Sequence, residues 1–349
     1  MSRFTVKAAS GLVAMILSGA ALAADPEPIN LSYQVTIHGV QLQIAEDNGW
    51  WQKMNIKPGN MTSFVAGAQQ VAASASGSWD IGLLGGAPAL LGASRFKLHS
   101  GLVLIDDKRA LAFTIQGGLA EAVSRDPVAA LKGKSYVTPV NSFGDFAAKV
   151  CQTKLGLKSG DMTAINVAPG AIVDAFRSQG DVAAAGIWAP HWLRLEKEAG
   201  GKTICTVKDG GKTAYSTMVV RPEYLKDHMD AVARFTAMYL RATHVMKTDK
   251  AATLKAMKTF YDKGGVKMSP EEMEAEYSLR DYFDFDEQMA MFDRSKGQST
   301  VDKGMSDIGE FMAASGSLSK VPNVNDYVDP SVLQYIASHA ELKAFAKGE

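Results

Sequence analysis

The segment Asp80-Ile81-Gly82-Leu83-Leu84-Gly85-Gly86-Ala87-Pro88 begins as a small apolar strand and ends in a tight turn, after which Ala89-Leu90-Leu91 continues with a helical pattern. A similar segment follows further along the chain, Asp181-Val182-Ala183-Ala184-Ala185-Gly186-Ile187-Trp188-Ala189-Pro190. Proline suits the first position of a helix, because its missing N–H has no intrahelical partner there. We therefore predict that each segment forms a strand, a turn and the opening of a helix.

The repetition of this strand-turn-helix unit indicates an α/β protein with two lobes. Strand and helix patterns alternate along the chain, which is typical of βαβ units and parallel sheets. Ligands of open α/β sheets bind at the carboxyl ends of the strands. The sequence therefore predicts a ligand cleft between two parallel-sheet lobes.

The chain is predicted to cross between the lobes twice, near Gly117-Gly118 and near Gly210-Gly211, and these crossings would form a hinge. The strand pattern Leu111–Gln116 falls in the first lobe in this division. The division assigns residues 24–118 and 212–349 to the first lobe and residues 119–211 to the second.

The N-terminus has the pattern of a secretory signal peptide. Met1–Lys7 carries two cations, Ala8–Ala20 is apolar, and Ala21-Leu22-Ala23 is an A-x-A cleavage site. The apolar run is shorter than the roughly 20 residues that a membrane span needs. We expect a periplasmic protein from which residues 1–23 have been removed after Ala23.

Composition agrees with a large globular protein, since 46% of the 349 residues are hydrophobic. The chain has 37 basic and 37 acidic residues, so removal of Arg3 and Lys7 leaves 35 against 37, a formal charge of −2. A nucleic-acid-binding protein would need a basic patch. We expect a monomer that binds no nucleic acid.

Cys151 and Cys205 both fall in the predicted second lobe. In an oxidising compartment they can form a disulfide, and two buried thiols are an equally good interpretation. Two cysteines alone lack further ligands at the spacing of a metal site. The sequence thus predicts no metal site and no cofactor.

An ordered set of short motifs resembles the taurine and alkanesulfonate receptors, which are periplasmic substrate-binding proteins of ABC importers related to the nitrate and bicarbonate receptors. The resemblance covers nearly all of the mature chain. The motifs are Tyr33-Gln34, Trp79-Asp80-Ile81-Gly82 with Gly85-Gly86-Ala87-Pro88, Leu131-Lys132-Gly133-Lys134, Ile187-Trp188-Ala189-Pro190 and Val219-Val220-Arg221-Pro222-Glu223-Tyr224.

The resemblance implies a type II periplasmic-binding-protein-like fold that closes on a ligand held between its lobes. It also implies a small organic anion as ligand, taurine or an alkanesulfonate, and a cognate ABC-transporter permease at the inner membrane as partner. The residues leave other anions open, namely aromatic or aliphatic carboxylates, nitrate and bicarbonate.

Two turns are the first candidates for the ligand site. A helix N-terminus binds an anion through unpaired N–H groups and the macrodipole, and Gly85-Gly86-Ala87 lets a ligand approach the backbone. We therefore expect a bulky residue at Gly86 to block binding and to leave the fold intact. Asn141-Ser142-Phe143 offers an amide, a hydroxyl and an aromatic face, although Ser142 also suits an ordinary N-cap.

Further candidates come from the other strand ends. Trp188 is predicted to line the cleft, and Gln34 and His38 lie on the first strand-to-helix turn. His38 either donates to the ligand or hydrogen-bonds a backbone carbonyl. Ser216 and Thr217 lie where the chain re-enters the first lobe and offer hydroxyls.

One position departs from the taurine-receptor pattern. Where Ser216 stands, the taurine receptors carry an aspartate suited to the ligand amine. Asp145 is the candidate replacement for that charge, although an acidic residue in the first turn of a helix also favours the dipole.

An exported enzyme on the same fold is the alternative from another class. The G-x-S-x-G hydrolase elbow, the P-loop and the H-E-x-x-H zinc motif are absent from the sequence. A cysteine nucleophile needs a nearby histidine, which His38 or His191 near Cys151 would provide. We assign no catalytic residue and predict a binding protein.

Overall fold

The computed structural model describes residues 25–178 and 180–349, so the predicted signal peptide lies outside the described residues. Two five-stranded sheets form the framework, and helices pack against both. This architecture confirms the predicted two-lobed α/β fold. We call the first sheet with its helices the first lobe, and the second sheet with its helices the second lobe.

The first sheet has the strand order β2-β1-β3-β10-β4. Its first three strands in the chain pair in parallel, whereas β10 runs antiparallel to both of its neighbours. The strands are β1 (Glu27–Tyr33), β2 (Ile56–Ser63), β3 (Ile81–Gly85), β4 (His99–Asp106) and β10 (Tyr215–Val220).

The second sheet repeats this arrangement with the order β7-β6-β8-β5-β9. Here β6 pairs in parallel with β7 and β8, and β5 runs antiparallel to β8 and β9. The strands are β5 (Leu111–Gln116), β6 (Ser135–Thr138), β7 (Thr163–Asn166), β8 (Val182–Trp188) and β9 (Gly201–Thr206).

Two details of the predicted topology were wrong. The sheets are mixed rather than parallel, and Leu111–Gln116 belongs to the second sheet. The first crossing is therefore the short segment 107–110 and not Gly117-Gly118. The return crossing, 207–214, contains Gly210-Gly211. Each crossing delivers the chain to the edge of the next sheet at which its parallel strands end. The strand that follows the crossing, β5 or β10, therefore runs antiparallel to those strands.

Helices connect the strands and cover the sheets. The first three connections of the first lobe and the whole second lobe contain short helices, whereas the chain after β10 is almost entirely helical. The helices are α1 (Val40–Asp47), α2 (Trp50–Lys53), α3 (Gly67–Ser74), α4 (Gly86–Phe96), α5 (Ala120–Arg125), α6 (Pro127–Leu131), α7 (Phe143–Lys154), α8 (Ile172–Ser178), α9 (His191–Ala199), α10 (Pro222–Asp227), α11 (Met229–Thr248), α12 (Lys250–Lys263), α13 (Pro270–Ser278), α14 (Phe285–Met291), α15 (Thr300–Ala314), α16 (Ser331–Ser338) and α17 (Ala340–Lys347).

Both repeated segments form a strand, a turn and a helix, as predicted. The strands β3 and β8 are buried along their whole length, as expected for strands covered on both faces. The prolines are not at the first helical position, however. Pro88 is the third residue of α4, and Pro190 is the N-cap of α9. Both positions lie where a helix N–H has no intrahelical acceptor, so the missing donor costs nothing.

The two cysteines form a disulfide, with a Cα–Cα distance of 5.8 Å. Cys151 lies on α7 and Cys205 on β9, and both are buried in the core of the second lobe. Of the two interpretations that the sequence left open, the structure contains the covalent one. The disulfide links α7, whose N-terminus lies at the interlobe cavity, to the edge strand β9 of the second sheet.

Candidate functional site

A cavity of about 40 Å³ lies between the two lobes. One water needs roughly 10–15 Å³ of such space, so the cavity in this conformation is narrow. Strand ends, turns and helix starts of both lobes line it, together with the first crossing and the residue Arg280 after α13. The lining residues are Gln34, Thr36, Ile37, His38, Gly67, Gly85, Pro88, Asp107, Leu111, Ser142, Phe143, Trp188, Ser216 and Arg280.

The cavity brings together many of the predicted site residues, and others lie outside its lining. The predicted residues that line it are Gln34, His38, Gly85, Ser142, Phe143, Trp188 and Ser216. Those that do not are Gly86, Ala87, Asn141, Asp145 and Thr217. Their role in ligand binding stays a prediction for both groups.

Gly86 must be small for a packing reason. A Cβ atom at this position would lie 2.4 Å from the carbonyl oxygen of Tyr215 and 3.1 Å from the ring of Phe143. Backbone cannot move aside as a flexible side chain does, so a larger residue disturbs the joint between α4 and β10. The expectation that a bulky residue at Gly86 spares the fold is therefore wrong, and its effect on ligand binding stays a prediction.

Asp145 is committed to contacts within the second lobe. Its carboxylate pairs with Lys149 at 3.1 Å and accepts hydrogen bonds from the Tyr136 hydroxyl at 3.1 Å and from the Asn141 N–H at 3.2 Å. Burial together with the Asp145 charge raises the pKa of Tyr136. Asp145, Asn141 and Ala87 line a separate, smaller cavity beside α7. Asp145 already has three partners in the second lobe, and its role as the acid that Ser216 does not supply stays a prediction.

Thr217 faces away from the cavity because consecutive strand residues point to opposite faces. Its hydroxyl lies 3.3 Å from that of Ser100, inside the first lobe. Ser216, one residue earlier on β10, faces the cavity and donates a hydrogen bond of 2.5 Å to Asp107.

His38 is a neutral side chain at the cavity wall. Burial, reinforced by the positive charge of Arg280, lowers its pKa to about 3. Its ring nitrogens lie 3.0 and 3.3 Å from the Thr36 hydroxyl, and within residues 25–178 and 180–349 the ring has no hydrogen bond to a backbone carbonyl, which was one of the two predicted alternatives. A neutral imidazole can still donate to a ligand anion.

Gln34 is fixed by a buried chain of amides. Its Nε2 donates to Gln70 at 3.1 Å, and Gln70 in turn donates to Ser32 at 2.9 Å and to the Leu83 carbonyl at 3.2 Å. Because every link is buried, the amide group of Gln34 is held in one orientation at the wall.

Helix N-termini approach the cavity from both lobes. The 3₁₀ turn Ile37–Gly39 that leads into α1 and the first turn of α4 have no side-chain cap. In contrast, α7 is capped by the Ser142 hydroxyl, which accepts from the Gly144 N–H at 3.0 Å. Uncapped N–H groups and the positive end of the helix dipole favour an anion, and the first lobe supplies most of them.

Asp107 and Arg280 are functional candidates that the sequence analysis missed. The guanidinium Nε donates to Asp107 at 2.7 Å, and Nη1 lies 3.0 Å from the carboxylate of Glu276. Burial raises the pKa of both carboxyl groups, and Arg280 opposes that rise. The sequence could have indicated Asp107, since Asp106-Asp107 directly follows an apolar strand pattern. Arg280 carried no such signal, because it lies 173 residues further along the chain and belongs to none of the predicted motifs.

The cavity also contains smaller or apolar groups that the sequence analysis did not single out. These are Thr36, Ile37, Gly67, Pro88 and Leu111. Within residues 25–178 and 180–349, no group of three or more His, Cys, Asp or Glu side chains is arranged to hold a metal ion. Nor does that part of the chain contain a helix long and apolar enough to cross a membrane.

Residues 124–252 match the family model described as NMT1/THI5 like. The chain is 29% identical over 242 residues to a candidate binding protein of Brucella abortus (strain 2308), covering 68% of this chain and 72% of the relative. It is 25% identical over 219 residues to the taurine-binding periplasmic protein of Escherichia coli (strain K12), covering 61% of this chain and 65% of that protein.

The fold is shared with a solved receptor. The alkanesulfonate-binding protein of Xanthomonas axonopodis pv. citri, bound to MOPS, superposes with a TM-score of 0.70 at 20% identity, covering 88% of this chain and 99% of that one. The fold is that of a periplasmic substrate-binding protein. The resemblance to taurine and alkanesulfonate receptors drawn from the sequence is confirmed, and these relatives are named for binding rather than for catalysis.

Proposed function

We propose that this substrate-binding protein captures a small organic anion, taurine-like or alkanesulfonate-like, in the periplasm and delivers it to an ABC-transporter permease. One observation carries the proposal: uncapped helix N-termini meet the aromatic walls of Trp188 and Phe143 in one interlobe cavity. The N–H groups suit a sulfonate or carboxylate head, and the aromatic faces suit an apolar body.

The remaining parts of the proposal follow from this role. The lobes close as near-rigid bodies about the two crossings, as periplasmic binding proteins do on ligand binding. The mature protein begins after Ala23, acts as a monomer without cofactor or metal, and releases its ligand unchanged. Small-angle scattering with saturating ligand should show a smaller radius of gyration.

Calorimetry with taurine, ethanesulfonate, acetate, sulfate and nitrate tests the ligand class. We expect an organosulfonate to bind more tightly than nitrate or sulfate, because only an organic anion uses the aromatic walls. Trp188→Ala should weaken binding at least tenfold. Trp192→Ala is the matched control, since Trp192 donates to the Ala110 carbonyl and does not line the cavity.

Tight nitrate binding without an organosulfonate signal would overturn the proposed ligand class. Chemical conversion of the bound anion would instead favour the alternative of an exported enzyme. Mass spectrometry of the ligand recovered after incubation separates conversion from simple binding.

Asp107 decides between taurine and a simple alkanesulfonate. An ion pair to the taurine ammonium in a closed cleft is worth about 2–5 kcal/mol, or at least about 30-fold in affinity. Since Arg280 already pairs with Asp107, we expect taurine and ethanesulfonate to bind within about tenfold of each other. A larger preference for taurine that disappears in Asp107→Asn would show that this acid recognises the ammonium group.

A further inference from the structure

Arg280 joins three separate parts of the molecule at the cavity wall. Its Nε donates to Asp107 on the first crossing at 2.7 Å, and its Nη1 donates to the Glu276 carbonyl on α13 at 2.6 Å. Its Nη2 donates to the Ala189 carbonyl at 3.3 Å. Ala189 follows β8, so this last contact reaches the second lobe, and it is the longest of the three.

Asp281, the residue after Arg280, is also attached to the end of β4 and to the first crossing. The Asp106 N–H donates to the Asp281 carbonyl at 3.0 Å, and the Asp281 carboxylate pairs with Arg109 at 2.7 Å. Residues 280 and 281 are therefore fixed to the first crossing. Only the Nη2 contact of Arg280 depends on where the second lobe sits.

The guanidinium retains a donor for a ligand. Nη2 carries two N–H groups, and among the described residues it donates to one acceptor, the Ala189 carbonyl. The Arg280 side chain is 2% exposed, and the residue lines the cavity. A donor so deeply buried interacts strongly with any anion placed beside it, because little water competes.

We infer that Arg280 couples ligand binding to lobe closure: one Nη2 N–H binds the anion and the other holds the Ala189 carbonyl of the second lobe. This role rests on the proposed function. An occupied cavity then places ligand, guanidinium and second lobe in one hydrogen-bonded unit, whereas an empty cavity leaves Arg280 with only its single long contact to the second lobe. Arg280 is thus both a ligand-binding and a positioning residue.

Arg280→Lys tests this role and keeps a positive charge beside Asp107 and Glu276. We expect at least tenfold weaker binding of taurine and ethanesulfonate by calorimetry. We also expect the saturated variant to contract less than the wild type in small-angle scattering. Arg109→Lys is the matched control, because Arg109 pairs with Asp281 at the same crossing and does not line the cavity. It should bind within threefold of wild type and contract fully.

A second pair of variants covers the case in which Arg280→Lys does not fold. Glu276→Gln retains Arg280, whereas Glu276→Gln/Arg280→Gln removes one charge of each sign and should bind at least tenfold more weakly than Glu276→Gln. Arg280 variants that bind within threefold, or that bind weakly yet contract fully at saturation, overturn the coupling and leave the proposed function standing. Wild-type protein that binds none of the five anions overturns the proposed function and this role of Arg280 with it.

Discussion

The two lobes build the same sheet from different pieces of chain. In each, three parallel strands are followed by one antiparallel strand and a last strand, in the orders β2-β1-β3-β10-β4 and β7-β6-β8-β5-β9. The antiparallel strand comes directly from a crossing in both lobes. The repeated segments noticed in the sequence occupy equivalent places, as β3 with α4 and as β8 with α9.

The lobes differ in what they present to the cavity. The first lobe contributes helix starts without side-chain caps, whereas the second contributes the capped helix α7 and the aromatic residues Phe143 and Trp188. Equivalent frameworks thus carry different chemistry. We infer that the first lobe binds the charged head of the ligand and that the second covers its apolar body.

The largest expected effect concerns the disulfide, which only the second lobe contains. The bridge spans 54 residues of sequence, and by loop entropy its removal should cost about 4 kcal/mol. Cys151→Ala/Cys205→Ala should therefore unfold at lower denaturant, with hydrogen exchange rising mainly in the second lobe. Equal loss of protection in the first lobe would show that the lobes unfold as one unit.

The turn of the first lobe should tolerate a side chain poorly. Gly86→Val places a branched Cβ against the Tyr215 carbonyl and should lower the free energy of unfolding by about 1–3 kcal/mol or more. Gly118→Val is the control, because a Cβ there meets no atom within 4 Å in the part of the chain that the structure describes. Two equally stable variants in a denaturant titration would contradict the packing role of Gly86.

Each lobe has one histidine whose pKa lies below its ordinary value, the buried His38 in the first lobe and the partly buried His191 in the second. Burial lowers the pKa of His38 to about 3 and that of His191 to about 4. Both stay neutral in the folded protein, so stability is complete above the unfolded pKa of about 6.5. It falls as the pH drops, by up to about 1.4 kcal/mol per pH unit for each histidine.

Denaturant titrations between pH 7 and pH 4 check this dependence. Both His38→Gln and His191→Gln should flatten the decline, and His38→Gln should flatten it further at the acid end because its pKa is the lower one. A His38→Gln curve that runs parallel to wild type would show that another group governs the acid sensitivity.

The smallest effect separates capping from ligand binding at α7. Ser142→Ala removes the cap on the Gly144 N–H and should lower stability by about 1 kcal/mol. Ser142 also lines the cavity, so an affinity within threefold of wild type would show that the uncapped N–H groups of the first lobe bind the anion without its hydroxyl. Ser142→Asn, which can cap the helix, should restore stability. A large loss of affinity at unchanged stability would place the anion against the second lobe instead.

The sequence predicted those features that depend on neighbouring residues. Apolar runs and turn residues located β3, β8 and the helices that follow them, and the order of motifs predicted the two-lobed fold. Strand ends also pointed to residues that do line the cavity, such as Gln34, Trp188 and Ser216. These properties are local, since strand period, helix period and turn chemistry act over a few residues.

Only the tertiary structure showed the Arg280–Asp107 pair at the cavity and the position of the boundary between the lobes. Arg280 meets Asp107 across 173 residues of sequence, and nothing in either neighbourhood specifies that pairing. The strand pattern of Leu111–Gln116 is the same in either sheet, and only pairing with Val182–Trp188 assigns it to the second lobe. Likewise, the sequence predicted a turn at Gly86. The reason that residue 86 must be small is the carbonyl of Tyr215 on β10, the strand that follows the return crossing. Contacts between distant segments depend on which surfaces the folded chain brings together, and local sequence patterns do not record that.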